Sequence, residues 1–448
     1  MPSDKIAYES PDPERATTES PSLPVLEQEA HRHDPYAALR FRDYRFYSIG
    51  WLCASIGFQM QIAAIGWEIY QWTGSAMKMG LAGGIQALPL IILALPAGHL
   101  ADRYNRRTLA ALGQVTAAIC SIALAILSLS FARGKIGPHA ATIVIFWIIF
   151  AGGVFSTFSR PARSAILPHI VPQQAFTNAV TWSAFIFEFS SVAGPAIAGF
   201  IIALISAAAV YIVATVLYIA FLIFLLLMHY NPKPHEKRTH ERHELLDGLK
   251  FVWRQNVILA SLTLDLFAVL LGGAVYLMPI FAQEILHVGP VGFGWLRAAP
   301  AIGAFSMAML LAHRPPLQRP GRALLWAVSA FGIATILFGL SRWFAFSMIA
   351  LIFTGAFDNI SVVIRHSLIQ ILTPDSKRGR VSAVNSVFIG ASNELGGFES
   401  GVTAHYFGPI TSVVAGGIGT LLVVASVALA WPQLRSLGPL QSLKPSEE

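Results

Sequence analysis

From Val210 to Met228 the chain carries no charged residue, and comparable apolar runs recur along its length, Ile143 to Phe150 among them. An α-helix of roughly 20 residues crosses the ~30 Å hydrocarbon core of a bilayer, and such runs have little else to do in water. Only 12% of the 448 residues are charged, against about 25% in an ordinary soluble domain, so a water-soluble fold is excluded. Breaks at charges, Pro and Gly divide the runs into twelve expected spans, six over 44–230 and six over 256–431. A polar tail (1–43), expected to be disordered and cytoplasmic, precedes them. A polar linker (231–255) separates the two sets, and a short tail (432–448) follows. The expectation is an all-α membrane protein of two six-helix bundles.

The distribution of positive charge orients these spans. Of 31 Lys and Arg, only Lys78, Arg133, Lys135, Arg297 and Arg342 fall on one side if the amino terminus is inside; the other 26 fall on the other. Basic loops are retained in the cytoplasm, which puts both termini there. The net charge of +7 is therefore read as an orientation signal and not as a nucleic-acid footprint. The two halves also repeat. Arg163 and Pro172 are spaced as Arg365 and Pro374 are, and each pair precedes an Ala-Val at the start of the next span. Parallel similarity between six-helix halves is a mark of carriers whose site lies at the repeat interface.

Cys53 and Cys120 both sit in apolar runs, which leaves no disulfide framework. The linker histidines, His229, His235, His240 and His243, are interleaved with Lys and Arg and are read as a solvated segment, so no metal is expected. No phosphate-binding loop and no G-x-S-x-G turn is present, and neither ATP-driven transport nor hydrolase chemistry is supported. No cofactor and no enzymatic activity are expected.

Two local motifs carry further meaning. Gly98-His-Leu-Ala-Asp102-Arg103-Tyr-Asn105-Arg106-Arg107 joins the second and third spans. Its glycine permits close helix approach, its acid can cap or pair at a neighbouring helix end, and its arginines stay in water. Gly194-Pro195-Ala-Ile-Ala-Gly199 in the fifth span has the proline that kinks a helix and the glycines that let it pack closely. The first motif resembles the G-x-L-a-D-r-x-G-r-r loop of the major facilitator superfamily, with Asn105 where that family has Gly; Asn also tolerates a left-handed turn. The second is similar to the glycine-proline motif of exporters in that superfamily. The stretches Pro161 to Pro168, Leu264 to Gly273 and Arg380 to Glu394 resemble the bacterial branch that contains the enterobactin exporter and macrolide efflux pumps. That resemblance implies export of small organic molecules driven by an ion gradient, with the motif Gly98, Asp102, Arg103, Arg106 and Arg107 acting as a gate. Many proton-coupled members carry an arginine in the middle of the fourth span. Here Arg160 and Arg163 come only at its end, a departure from that relay.

Carboxylates inside spans are the remaining candidates, because a charge in lipid costs several kcal/mol unless it faces a cavity or a partner. They are Glu188, Asp265, Asp358, Glu394 and Glu399. Glu188 shares a helical stripe with Thr177, Thr181 and Ser191; Asp358 shares one with Thr354, Ser361 and Arg365. One of these acids is expected to take and release a proton during transport, the alternative being a fixed ion pair such as Asp358 with Arg365. Glu68, one face with Gln61, is placed near the outer end as an interfacial residue. Aromatics such as Trp67, Phe155, Trp182, Phe187, Tyr276 and Phe357 suit either a cavity lining or helix packing. The expected partners are a small-molecule substrate, protons and the lipid bilayer of an inner membrane. The rival readings are an uncoupled or inward carrier and a receptor that has kept the fold.

Overall fold

A computed structural model describes residues 34–229, 243–315 and 317–443, without the side chains at 94–103, 243–246, 376 and 442. The first 33 residues, the first part of the linker with His235 and His240, and the last five residues lie outside it. In the first half six long helices follow one another: α1 (Arg42–Thr73), α2 (Ala76–Arg103), α3 (Arg106–Ala132), α4 (Pro138–Ser164), α5 (Gln173–Leu204) and α6 (Ala207–Leu227). The second half contributes α7 (Asn256–Leu271), α8 (Gly289–Ala312), α9 (Pro320–Leu340), α10 (Phe344–Leu372), α11 (Asp375–Phe407) and α12 (Pro409–Ala430).

Local chemistry sets the helix boundaries. Gly74 closes α1 in a left-handed conformation, φ 57°, with its N–H on the Tyr70 carbonyl at 2.7 Å. Proline occupies the first turn of α4, α8, α9 and α12, where its missing N–H costs nothing. Asn105 caps α3: its side-chain oxygen accepts from the N–H of Arg107 at 2.9 Å and of Thr108 at 3.4 Å, with an extended backbone at φ −60°. The left-handed turn expected at Asn105 is thus corrected to an N-cap.

Among the described residues, eleven helices are long and apolar enough to cross a membrane, and α11 is the long helix that fails this measure. Its 33 residues include Asp375, Lys377, Arg378, Arg380, Glu394 and Glu399. The seventh span, the first of the six expected over 256–431, is broken. After Leu271 come Gly272-Gly273, a 3-10 turn (Ala274–Leu277), a short turn holding Pro279 and a π-helical turn (Phe281–Ile285). The break falls where α7 presses on α11: a Cβ at Gly273 would lie 2.5 Å from the Gly396 carbonyl oxygen, and one at Gly396 would lie 2.8 Å from that of Val269. The second part of the linker is also helical. His243–Arg254 lays Phe251 and Val252 against Val381 and Val384 of α11 and Ile369 of α10, with Asp247 reaching Arg380 at 3.5 Å.

Within the first half α1 packs on α5 and α6, α3 on α4 and α6, and α2 on α4; within the second, α8 packs on α10, α9 on α10 and α12, and α7 on α11 and α12. The halves meet along two seams, α2 with α11 and α5 with α8. Glycine allows backbone approach there: a Cβ at Gly401 would sit 2.4 Å from the Gly80 Cα, and one at Gly199 would sit 3.1 Å from the Gly294 Cα. Gly80 is near the start of α2 and Gly401 near the end of α11, so this contact belongs to the face away from the linker. One apolar cluster bridges both halves on that face, with the Trp67 and Phe293 rings 5.3 Å apart, and the Tyr70 hydroxyl donates to the Glu284 carboxylate across the seam.

Candidate transport site

Three polar side chains meet where α2 and α11 cross. Glu394 of α11 accepts from Gln86 Nε2 of α2 at 3.0 Å and from the Tyr276 hydroxyl of the broken α7 segment at 2.5 Å. One carboxylate is therefore bonded by both halves of the molecule at once. Small residues make this possible. A Cβ at Gly83 would be 3.3 Å from the Tyr276 ring, and the ring covers Gly397 at 2.6 Å from the same imagined atom. Arg160 of α4 and Arg297 of α8 lie close enough to act electrostatically on Glu394.

A second set of charges lies within the C-terminal half. The guanidinium of Arg365 on α10, 1% exposed, pairs with the carboxylate of Asp265 on α7. The expected partnership of Asp358 with Arg365 is therefore corrected. Seven residues along a helix is a rise of about 10.5 Å, and the neighbouring helix is nearer. Asp265, Asp358 and Ser361 line a small pocket whose other walls include Val328, Phe331 and Phe357. Glu188 of α5, half-buried, faces Asp358 from the opposite bundle closely enough for the two charges to interact. Beside it, Gln59 Nε2 of α1 donates to the Ser191 hydroxyl at 2.7 Å, which places the expected Glu188–Ser191 stripe against α1.

The other candidates separate. Glu399 is satisfied within its own helix by the Thr403 hydroxyl at 2.7 Å. Glu68, expected at the interface, is 3% exposed and accepts from Ser128 at 2.5 Å and Tyr211 at 2.8 Å, which ties α1 to α3 and α6; this too is a correction. Gly98, Asp102 and Arg103 belong to the end of α2, and their side chains lie outside those described. Of the same motif, Arg106 donates to the Ala165 carbonyl at 3.1 Å and Arg107 to that of Leu226 at 2.7 Å, so both clamp the ends of neighbouring helices. Helix α5 continues through Pro195. The Gly194 end of its motif sits on α1, where a Cβ would meet Gln59 at 2.5 Å, and Gly199 sits on α8, 2.5 Å from the Pro290 carbonyl oxygen by the same measure.

Reading the sequence missed Gln86, and it counted Arg297 with the charges of the outer side and Arg365 with those of the cytoplasmic side. Arg297 is eight residues beyond Gly289 within α8, and Arg365 is inside α10. The Gly289-Pro290 helix start was the available signal for the first of these.

The family model described as transmembrane secretion effector matches residues 33–445. The enterobactin exporter EntS of Escherichia coli O1:K1 / APEC is 23% identical over 368 residues, 82% of this chain and 86% of that protein; the same exporter from strain ED1a of serotype O81 is 24% identical over the same shares. Among solved structures, a bacterial homologue of the human lysosomal transporter Spinster, inward-facing and unoccupied, superposes with a TM-score of 0.67 at 15% identity, covering 89% of this chain and 98% of that one. The nucleoside transporter NupG, as its D323A mutant, gives 0.67 at 12% identity over 88% and 99%. These relatives are transporters and not enzymes. With its two six-helix halves, its membrane-spanning helices and a family match along nearly its whole length, the chain belongs to the transmembrane secretion effector family of major facilitator superfamily transporters.

Proposed function

We propose that this transporter exports amphipathic small molecules of the drug or siderophore type from the cytoplasm across a bacterial inner membrane, driven by proton entry, with both termini cytoplasmic. The orientation rests on the excess of Lys and Arg on the linker side. On that orientation the closed face is the outer one, and the substrate enters from the cytoplasm. The enterobactin exporter relationship supports the direction and the cargo class.

The observation that carries the coupling is Glu394, held by Gln86 from one bundle and Tyr276 from the other. As a carboxylate it accepts both bonds, and hydrogen bonds to a charged group contribute about 1.5–3 kcal/mol each. Protonation removes acceptor strength, so the contact between bundles depends on the charge of this one group. An empty, deprotonated carrier is held closed on the outside, which prevents futile cycling; a proton taken up from outside neutralises the acid while the bundles are apart. The Glu188–Asp358 pair is the second place where one proton relieves two like charges facing each other across the bundles. Asp102 with Arg103, by resemblance, gates the cytoplasmic side.

Reconstituted protein with an imposed pH gradient tests this. Glu394→Gln should abolish pH-driven accumulation and keep downhill exchange, because an amide mimics the protonated acid in both states. Full pH-driven accumulation in Glu394→Gln, Glu188→Gln and Asp358→Asn alike would mean that none of these acids carries the proton.

A further inference from the structure

One stripe of α5 has two neighbours. Asn178, Trp182, Phe185, Val192, Ala196 and Gly199 follow one another at steps of three, four or seven residues, which puts them on one face of the helix. Away from the linker that face belongs to α8: a Cβ at Gly294 would lie 2.6 Å from the Pro195 carbonyl oxygen, 3.1 Å from the Gly199 Cα and 3.3 Å from the Ala196 Cα. Nearer the linker the Phe185 ring meets the Phe305 ring of α8, centroids 6.0 Å apart. The linker end of the face is taken by another part of the chain. The Pro35 carbonyl accepts from Asn178 Nδ2 and from Trp182 Nε1, each at 2.9 Å, and the Ala38 N–H donates to Asn178 Oδ1 at 3.0 Å. The Tyr36 ring stands 5.9 Å from that of Trp182, which in turn packs edge-on against Phe185 at 5.6 Å. Asp34 closes this segment into a turn, accepting from the Tyr36 N–H at 3.0 Å and pairing with Arg40 at 2.8 Å.

The pairing of α5 with α8, carried on, leads to the same place. The two helices run antiparallel. Asn178 lies about two turns before Phe185 and Ala312 about two turns beyond Phe305, so an α8 lying along α5 to its end would set Ala312 at Asn178 and Ala308 at Trp182. Ala312 is exposed instead. We propose that residues 35–38 form a strap that holds the place α8 takes when the two halves close on the linker side, so that it keeps that side open and leaves α5 when the bundles rock. The proposal rests on the transport reading only for the rocking itself, and it adds a point of control: whatever draws the amino-terminal segment off α5 favours closure. Three hydrogen bonds and one ring contact are few enough to break within a transport cycle and enough to shift a balance between two states.

The test uses the purified full chain in lipid nanodiscs, with Cys53 and Cys120 replaced by Ser and spin labels at Thr108 on α3 and Gln318 before α9, both exposed on the linker side. Pulsed electron resonance then reads the ratio of short to long distances between the halves. Asn178→Ala with Trp182→Phe removes all three hydrogen bonds and keeps a ring beside Phe185; it should raise that ratio by at least about fivefold. Tyr36→Ala with Asp34→Ala changes the strap alone and should act in the same direction, which keeps the question open to measurement should the α5 variant fail to fold. An unchanged ratio, or a shift toward longer distances, in either variant that folds would overturn the strap. A shift as expected in a protein that shows no pH-driven flux would instead sink the coupled export reading and leave the strap standing.

Discussion

The closest backbone approach between the bundles on the closed face, Gly80 against Gly401, permits a worked prediction. In Gly401→Ala the new methyl would lie 2.4 Å from the Gly80 Cα, 2.7 Å from the Gly80 nitrogen and 2.8 Å from the Ala76 carbonyl oxygen. Carbon atoms rest at about 3.5–4.0 Å, so α2 and α11 must part by roughly 1.3 Å. None of the three obstructing atoms belongs to a side chain that can swing aside. Overpacking of this kind costs about 1–3 kcal/mol, and here only the arrangement closed on the face away from the linker bears it. The balance between outward-closed and outward-open forms should move by roughly five- to 150-fold toward the open form. Spin labels on the exposed positions Gln71 and His405, in a background with Cys53 and Cys120 replaced by Ser, would report this as a growing long-distance population in pulsed electron resonance. Gly80→Ala should act in the same direction. An unchanged distance distribution in a well-folded Gly401→Ala protein would refute the idea that this crossing seals the outer face.

Asp265→Asn leaves the Arg365 charge buried and unpaired, and should cost about 3–5 kcal/mol, read as a fall in melting temperature; the double change Asp265→Leu with Arg365→Met should recover most of it. Glu68→Gln keeps hydrogen-bonding atoms next to Ser128 and Tyr211, so pH-driven transport should persist with at most about 2 kcal/mol of stability lost; loss of coupling there would move the proton site into the N-terminal bundle. Tyr70→Phe removes a hydrogen bond between bundles to an exposed acid, and should shift the same spin-label populations toward the open form by less than Gly401→Ala does.

Much of the architecture was legible because membrane spans announce themselves by length and lack of charge, and helix ends by Gly, Pro and Asn. The span count, the close packing at Gly194 and Gly199 and the acids worth testing all follow from such one-dimensional signals. What a helical stripe cannot reveal is which neighbour a side chain meets. Arg365 shares a stripe with Asp358 but turns to Asp265 on α7, and Glu68 meets Ser128 and Tyr211, far away in the chain. Gln86 gave no signal at all, being one neutral polar residue on a helix of small and apolar ones. Its role exists only because α2 and α11 touch, and that contact is set by glycines in both.

The polarity of α11 has a consequence for how the chain is made. Four of its six charges crowd the first six residues, but Glu394 and Glu399, with polar residues such as Asn385 and Asn393, lower what the remaining stretch gains from lipid. Its Glu394 is matched by groups on helices synthesised long before it, Gln86 from α2 and Tyr276 from the α7 region. Helix α11 should therefore enter the bilayer late, together with the apolar α12 and against a surface that is already built. Chains arrested before α12 emerges should therefore leave α11 outside the bilayer, where proteases can reach it.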